Sequence, residues 1–430
     1  MNSSLIHPAD ELVQKMGRIY HYRMTTTSGG NLSILDPDGS IWITPSRVDK
    51  GSLRAEDVVR IHADGCVEGA HPPSSEHPFH RKIYQARPDL KAVVHAHPVG
   101  LVAFSVCRML PDTDVFPQSH LVCGRVGMAA YALPGSELLG DNIAAVFARG
   151  FNCVLLENHG VVVGGVDLQD AFERFETLEF TAQTLIRANQ LGKAARLTVE
   201  QLQLAAFTRP PLEKFAPVRA TTREKAARRD LARFVRRGYQ QRLLVSTEGS
   251  FSARVEGEEF VITPNSADRH HIEPGDLALI RGGKSEAGKR PSRAMGLHEL
   301  IYRAYPGVHA IVNARPVHAT AFSAVARRLE SRTIPESYIF LREVPKIPFA
   351  LVYEDQEGVL DYVSPSQPVA LLENNGVLIL GTGVLDAFDR LEVLEATAEA
   401  ILEGVKLGPL VEMDEAAIGD LRRFFLKEEI

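Results

Sequence analysis

A chain of 430 residues exceeds what one ordinary core holds, and its apolar and charged fractions, 45% and 24%, are those of a globular protein, so two domains are expected. A formal charge of -6 and a pI near 6.2 exclude the basic bias of a nucleic-acid binder. Cys66, Cys107, Cys123 and Cys153 follow no zinc-ribbon or disulfide-framework spacing, the start lacks a leader pattern, and no apolar run is long enough to span a bilayer; a cytoplasmic protein without a membrane partner is predicted.

Leu12, Met16, Ile19 and Tyr20 predict a helix over 9–22, and the Gly-rich turn Ser28-Gly29-Gly30 leads into a strand from Asn31 to Ile34. Asp36-Pro37-Asp38-Gly39 is a hairpin turn, Ile41–Thr44 the returning strand, and Pro45-Ser46-Arg47 the loop after it. Ser74 or Ser75 is suited to cap a helix reaching about Ala86, with Phe79, Ile83 and Tyr84 on its buried face. On that helix His80 reads as a surface or capping residue, or else as a support to a neighbouring site.

Val93-Val94-His95-Ala96-His97 reads as a strand. Strand side chains alternate, so both imidazoles leave one face, close enough to share a divalent ion. By itself the pair equally forms the polar face of a half-buried sheet. Glu76 upstream and His159 downstream add a carboxylate and a third imidazole, and three His with one carboxylate make a Zn²⁺ site. Val99–Val106 and Glu137–Arg149 read as helices, Cys153–Val163 as one buried strand, and the apolar stripe from Leu168 to Ile186 as a long helix ending near Gly192. This alternation predicts a sheet covered by helices.

The second half repeats the first at an offset of about 218 residues. Val261-Ile262-Thr263-Pro264 echoes Trp42-Ile43-Thr44-Pro45, Ala310–Pro316 echoes Ala92–Pro98, and Leu371–Gly376 echoes Leu155–Gly160. Two copies of one domain are expected, 1–207 and 208–430, joined through Thr208-Arg209-Pro210-Pro211. The second has Ala294 for Glu76, Asn313 for His95, Arg315 for His97 and Asn375 for His159, with Arg293 for Ser75. Every ligand is gone and two guanidiniums repel a cation, so only the first copy is expected to bind metal. The Arg-rich run 223–237 reads as the polar face of a linker helix, His270-His271 as a solvated loop, and the tail from Glu412 as a short amphipathic helix.

In this order, Asn31-Leu32-Ser33, Thr44-Pro45-Ser46, Ser74-Ser75-Glu76, His95-Ala96-His97 and His159-Gly160 resemble the class II aldolase and adducin family, twice over nearly the whole chain. The resemblance implies an α/β protein: a three-layer α/β/α fold with a largely antiparallel central sheet, present twice in tandem. It implies Zn²⁺, or another divalent metal such as Mn²⁺, Fe²⁺ or Co²⁺, on His95, His97 and His159, with Glu76 as ligand or acid/base. It places Asn31, Ser46, Ser74 and Ser75 at substrate-phosphate positions. The expected activity is aldolase-type carbon–carbon cleavage of a small sugar, polyol or sugar acid through a metal-stabilised enediolate. Decarboxylase, 4-epimerase, dehydratase and non-catalytic adducin-like readings are the alternatives. Arg47 stands where sugar-phosphate aldolases have Gly, so it either clamps an anion or fills the pocket. The family's catalytic Tyr is matched in the first copy by His120 and in the second by Tyr338, which suggests a homo-oligomer, as a dimer forming a pseudo-four-fold ring or larger, in which Tyr338 serves the live site as a catalytic acid.

Overall fold

In the computed structural model, which describes residues 5–207, 212–216 and 219–427, the chain falls into two compact units. One runs to Thr113 and includes Gln118–Gln183; the other takes Asp114–Pro117 and the described residues from Thr184 onward. The expected linker Thr208–Pro211 lies outside the described residues.

Helix α1 (Pro8–His21) starts on Pro8, where the missing N–H has no helical partner to lose, and buries Leu12, Met16 and Ile19. A meander follows: β1 (Asn31–Leu35), β2 (Ile41–Ile43), β3 (Val59–Ile61) and β4 (Val67–Glu68). Helix α2 (His77–Ala86) leads to β5 (Ala92–Ala96), which pairs antiparallel with β1 so that Asn31 lies opposite His95. Then come α3 (Val99–Val106), α4 (Pro117–Cys123), β6 (Val126–Ala129), α5 (Glu137–Ala148), β7 (Cys153–Leu156), β8 (Val161–Gly165) and α6 (Leu168–Leu191). The sheet order is β4-β3-β2-β1-β5-β8-β7-β6, antiparallel except between β6 and β7.

Strand β5 is buried on both faces. Val93 joins Phe79, Ile83, Ile143 and Phe147 beneath α2 and α5, while Val94 turns to the opposite face. Each such fully buried valine contributes roughly 1.5–3 kcal/mol. The run 153–163 is not one strand but a hairpin. Asn158, at φ 54°, reverses the chain between β7 and β8, and this reversal carries His159 back to the end of β5. The predicted serine cap also shifts: α2 begins at His77 with Glu76 in the N-cap position, and Ser74 Oγ accepts from the Glu76 N–H at 3.3 Å.

The second unit contains α7 (Val199–Ala206), β9 (Lys214–Phe215), α8 (Thr222–Gln240), β10 (Ser250–Glu256), β11 (Glu259–Ile262), β12 (Ala278–Arg281), β13 (Lys284–Glu286), α9 (Met295–Ala304) and β14 (Ala310–Ala314). It continues through α10 (Val317–Ser323), α11 (Pro335–Leu341), β15 (Lys346–Ile347), α12 (Phe349–Tyr353), β16 (Val369–Leu372), β17 (Gly376–Gly381), α13 (Val384–Leu407) and α14 (Glu415–Leu421). Its sheet, β15-β16-β17-β14-β10-β11-β12-β13-β9, reproduces the first with β9 added at one edge. Helix α8 is therefore the counterpart of α1, not a linker. It buries Leu231, Ala232, Phe234 and Val235 against β10 and α13, and its Arg228 bridges Glu224 and Glu286.

Candidate metal centre

The pairing of β1, β5 and β8 and the N-terminus of α2 bring Glu76, His95, His97 and His159 together. One ring nitrogen from each of the three histidines lies within 4.8 Å of the other two. His95 Nδ1 donates to the Val161 carbonyl at 2.9 Å, which fixes the tautomer and turns Nε2 toward the cluster. That Nε2 lies 3.2 Å from Glu76 Oε2, and His159 Nε2 lies 3.7 Å from Glu76 Oε1. His159 is anchored by its backbone N–H, which donates to Ser105 Oγ at 3.1 Å. Gly160 is needed beside it, because a Cβ there would stand 2.6 Å from both the Ala96 carbonyl oxygen and His97 Cδ2.

Glu76 Oε1, His95 Nε2 and His97 Nε2 are buried without a hydrogen-bond partner among the described residues. Three buried polar atoms without hydrogen-bond partners are costly, and a cation held among them would relieve that cost. Burial pushes the Glu76 pKa up, but His95, His159 and the Asn31 amide outweigh it and hold the carboxyl well below its usual range. Burial pushes His95 down, yet Glu76 and the Val161 carbonyl raise it overall, so the carboxylate demands a positive charge at this point. His97 is driven to about 3 and His159 to about 4, each by burial first and then by the neighbouring imidazoles, which leaves their rings neutral and able to ligate. The nitrogen-rich donor set with one carboxylate fits Zn²⁺ or a similar divalent ion.

The second copy has filled the same space with its own charge. Arg315 Nη1 donates to Glu248 Oε2 at 2.5 Å, Nη2 to Asn375 Oδ1 at 2.6 Å, and Nε to the Asn375 carbonyl at 2.6 Å. Glu248 occupies the position of Gly29, where a Cβ in the first copy would come within 3.1 Å of His97 Nδ1. The change from His to Arg is thus matched by a change from Gly to Glu, and a guanidinium–carboxylate pair stands where the first copy gathers imidazoles.

The sequence model for the class II aldolase and adducin N-terminal domain matches residues 10–186 and again residues 229–402. The chain belongs to the class II aldolase and adducin family. Within it, the chain is 34% identical over 179 residues to the 3-oxo-tetronate 4-phosphate decarboxylase of Pectobacterium atrosepticum, covering 41% of this chain and 82% of the relative. It is 33% identical over 175 residues to the L-fuculose phosphate aldolase of Methanococcus maripaludis, covering 40% and 93%. The crystal structure of YgbL from Escherichia coli superimposes with a TM-score of 0.43 at 30% identity, over 45% of this chain and 95% of that one.

In this class II aldolase family member the other predicted site residues divide. The turn Pro45-Ser46-Arg47 lies against the segment before α2: the Ser46 N–H donates to the Pro72 carbonyl at 3.0 Å, and Pro45 bridges Pro73, so the stretch carrying Ser46 and Arg47 adjoins the one leading into Ser74 and Ser75. Asn31 is engaged instead within the protein. Its Nδ2 donates to Glu76 Oε2 at 2.8 Å, and its Oδ1 lies 2.5 Å from His80 Nε2. His80 is neither a surface nor a capping residue but fully buried, with its pKa lowered to about 3 by burial and by His95. Arg47 has φ 56°, as does its counterpart Ser266, which explains why a glycine suits the position. Tyr338 is buried in the second unit, where its hydroxyl accepts from Arg422 Nε at 2.9 Å.

Lys50 belongs to no motif in the sequence. It is buried beneath the Pro45 turn, its Nζ donating to the Pro45 carbonyl at 2.6 Å, and burial lowers its pKa to about 8. Of the pair expected as a solvated loop, His271 is exposed, whereas His270 is half-buried and packs edge-on against Tyr239, with ring centroids 5.4 Å apart. Among the described residues no helix is long and apolar enough to cross a membrane.

Proposed function

We propose that the first copy, residues 1–207, is a divalent-metal-dependent carbon–carbon lyase acting on a small sugar, polyol or sugar-acid substrate, and that residues 208–430 form a degenerate copy without chemistry of its own. The observation that carries this reading is the convergence of three imidazoles, His97 and His159 among them held neutral, on one ionised carboxylate, with Glu76 Oε1, His95 Nε2 and His97 Nε2 lacking a hydrogen-bond partner among the described residues. His95, His97 and His159 would hold the ion, with Glu76 beside them. When bound, a Zn²⁺-like ion supplies Lewis-acid polarisation of a substrate carbonyl and its neighbouring hydroxyl, lowering the barrier to breaking the next carbon–carbon bond.

The protein groups do the remaining tasks. Glu76 Oε2 is tied to Asn31, whereas Oε1 has no hydrogen-bond partner among the described residues and would be the atom to take a proton from a substrate hydroxyl and return it to the product. Ser46, Arg47, Ser74 and Ser75, on two adjoining segments, would be the groups that orient an anionic substrate group. Retro-aldol cleavage is the leading reaction. Decarboxylation is a specific second reading, supported by Arg47: a guanidinium kept in a left-handed conformation that disfavours it suits a carboxylate clamp. The names of the relatives fall in both classes. The Tyr338 hydroxyl accepts from Arg422 Nε and keeps its own proton, so in an oligomer that brings it to a neighbouring chain's site it would serve as the acid.

Purified protein should contain about one zinc-type ion per chain, none in variants lacking His97. Zinc-loaded enzyme is then offered L-fuculose 1-phosphate and 3-oxo-tetronate 4-phosphate, with aldehyde release scored in the first case and carbon dioxide in the second. Absence of any bound divalent metal would exclude the enzymatic reading.

A further inference from the structure

Behind Glu76 runs a buried polar chain of four side chains, and what it does builds on the metal-dependent reading above. Asn31, Ser33, His80 and Tyr84 are 3%, 0%, 0% and 6% exposed, so each hydrogen bond between them is shielded from water. Tyr84 OH lies 2.6 Å from Ser33 Oγ, Ser33 Oγ 2.7 Å from His80 Nδ1, His80 Nε2 2.5 Å from Asn31 Oδ1, and Asn31 Nδ2 2.8 Å from Glu76 Oε2.

The donor and acceptor roles along this chain follow from its last member. An ionised Glu76 only accepts, so the Asn31 amide must present its NH₂ to the carboxylate and its oxygen to His80. His80 therefore carries its proton on Nε2 and accepts on Nδ1 from the Ser33 hydroxyl, which in turn accepts from Tyr84. The imidazole N–H thus holds the Asn31 oxygen on the far side of the amide and reinforces the presentation of its NH₂ to Glu76.

We propose that His80 is a positioning residue: acting through Asn31, it fixes the orientation of the Glu76 carboxylate against the three imidazoles and so sets how tightly the first copy holds its cation. The second copy separates this role from a purely structural one. There Ser252 Oγ lies 2.7 Å from His298 Nδ1 and 2.8 Å from Tyr302 OH, the same trio in the same places. But His298 Nε2 points 2.6 Å from the oxygen of Asn313, whose NH₂ goes to the Val377 carbonyl at 3.3 Å. Ala294 stands where Glu76 would be, so this chain ends on backbone. One device appears twice, terminating in the site carboxylate in one copy only.

The test compares His80→Leu with His298→Leu in the full-length chain. Zinc affinity is measured by competition with a chromophoric chelator, and folding stability by urea unfolding. Both variants should lose stability. Only His80→Leu should weaken zinc binding, by about 10–100-fold, the range found when a group supporting a metal ligand is removed. His80→Gln, whose amide N–H can reach the Asn31 oxygen, should recover most of that loss, and His298→Leu should stay within about twofold of the wild type. Wild-type affinity in His80→Leu, or an equal loss in His298→Leu, would overturn the positioning role. If His80→Leu does not fold, Ser33→Ala takes its place: it removes the bond that locks the ring's tautomer, and unchanged zinc affinity there overturns the proposal. A wild-type protein that takes up no zinc overturns the metal-dependent function as well, whereas a zinc-binding wild type with an indifferent His80→Leu overturns this inference alone.

Discussion

Removing the divalent ion should destabilise the first unit by an amount the structure sets. Glu76 Oε1, His95 Nε2 and His97 Nε2 are buried and unpartnered among the described residues, and leaving a buried polar atom unsatisfied costs about 1–3 kcal/mol each. Relieving all three is worth about 3–9 kcal/mol. Mass action gives a compatible figure: an ion supplied at a thousandfold over its dissociation constant stabilises by about 4 kcal/mol. For a unit of this size each kcal/mol moves the midpoint by about 2–4 °C, so zinc should raise the first unit's unfolding temperature by about 6 °C or more. Differential scanning calorimetry of chelator-stripped protein, with and without added zinc, reads this directly, and His97→Ala should abolish the shift. A zinc-independent thermogram, or an undiminished shift in His97→Ala, would refute the reasoning from unpaired buried atoms to a metal centre.

Other consequences follow from single positions. Arg47→Gly relieves a left-handed conformation worth about 1–2 kcal/mol and should raise stability in urea unfolding by about that amount, while raising KM for an anionic substrate if the guanidinium clamps it. His298 is fully buried and burial lowers its pKa from 6.5 to about 4. Between those values the unfolded chain binds the extra proton, so this contribution to stability is complete above pH 6.5 and falls by about 3 kcal/mol as pH drops toward 4. The difference between wild type and His298→Gln in urea unfolding across that window should show it, and parallel pH profiles would exclude it. Tyr338→Phe removes the acceptor of the Arg422 bond and should cost about 1 kcal/mol in chemical unfolding. A turnover loss far beyond that effect would instead support Tyr338 as an acid acting on a neighbouring chain.

Much of this protein was legible in its residues because the signals were periodic or repeated. The two-residue alternation of β5 put His95 and His97 on one face, and that face is where they lie. The recurrence of Thr-Pro, of the β5 pattern and of the Glu-Asn-x-Gly turn revealed the tandem copies, and the substituted positions mark which copy lacks the candidate ligands. Where the sequence misled, a local reading met a long-range partner. Cys153–Val163 looked like one strand because both arms of the hairpin are apolar, and only the left-handed Asn158 divides them. The serines before α2 looked like its cap, but Glu76 holds that position with its carboxylate turned into the site.

The sequence by itself determined which residue types were available: three imidazoles, a carboxylate and a ring of small polar groups, present once and erased once. Only the tertiary structure decided how they are used. Asn31 faces Glu76 because β1 pairs with β5, His80 backs Asn31 because α2 packs over that sheet, and Glu248 meets Arg315 because two distant segments of the second copy converge. Such partners are tens of residues apart, so no local spacing rule could announce them. They are chosen by the burial of the sheet faces, which leaves each enclosed polar group only the partners that packing brings within reach.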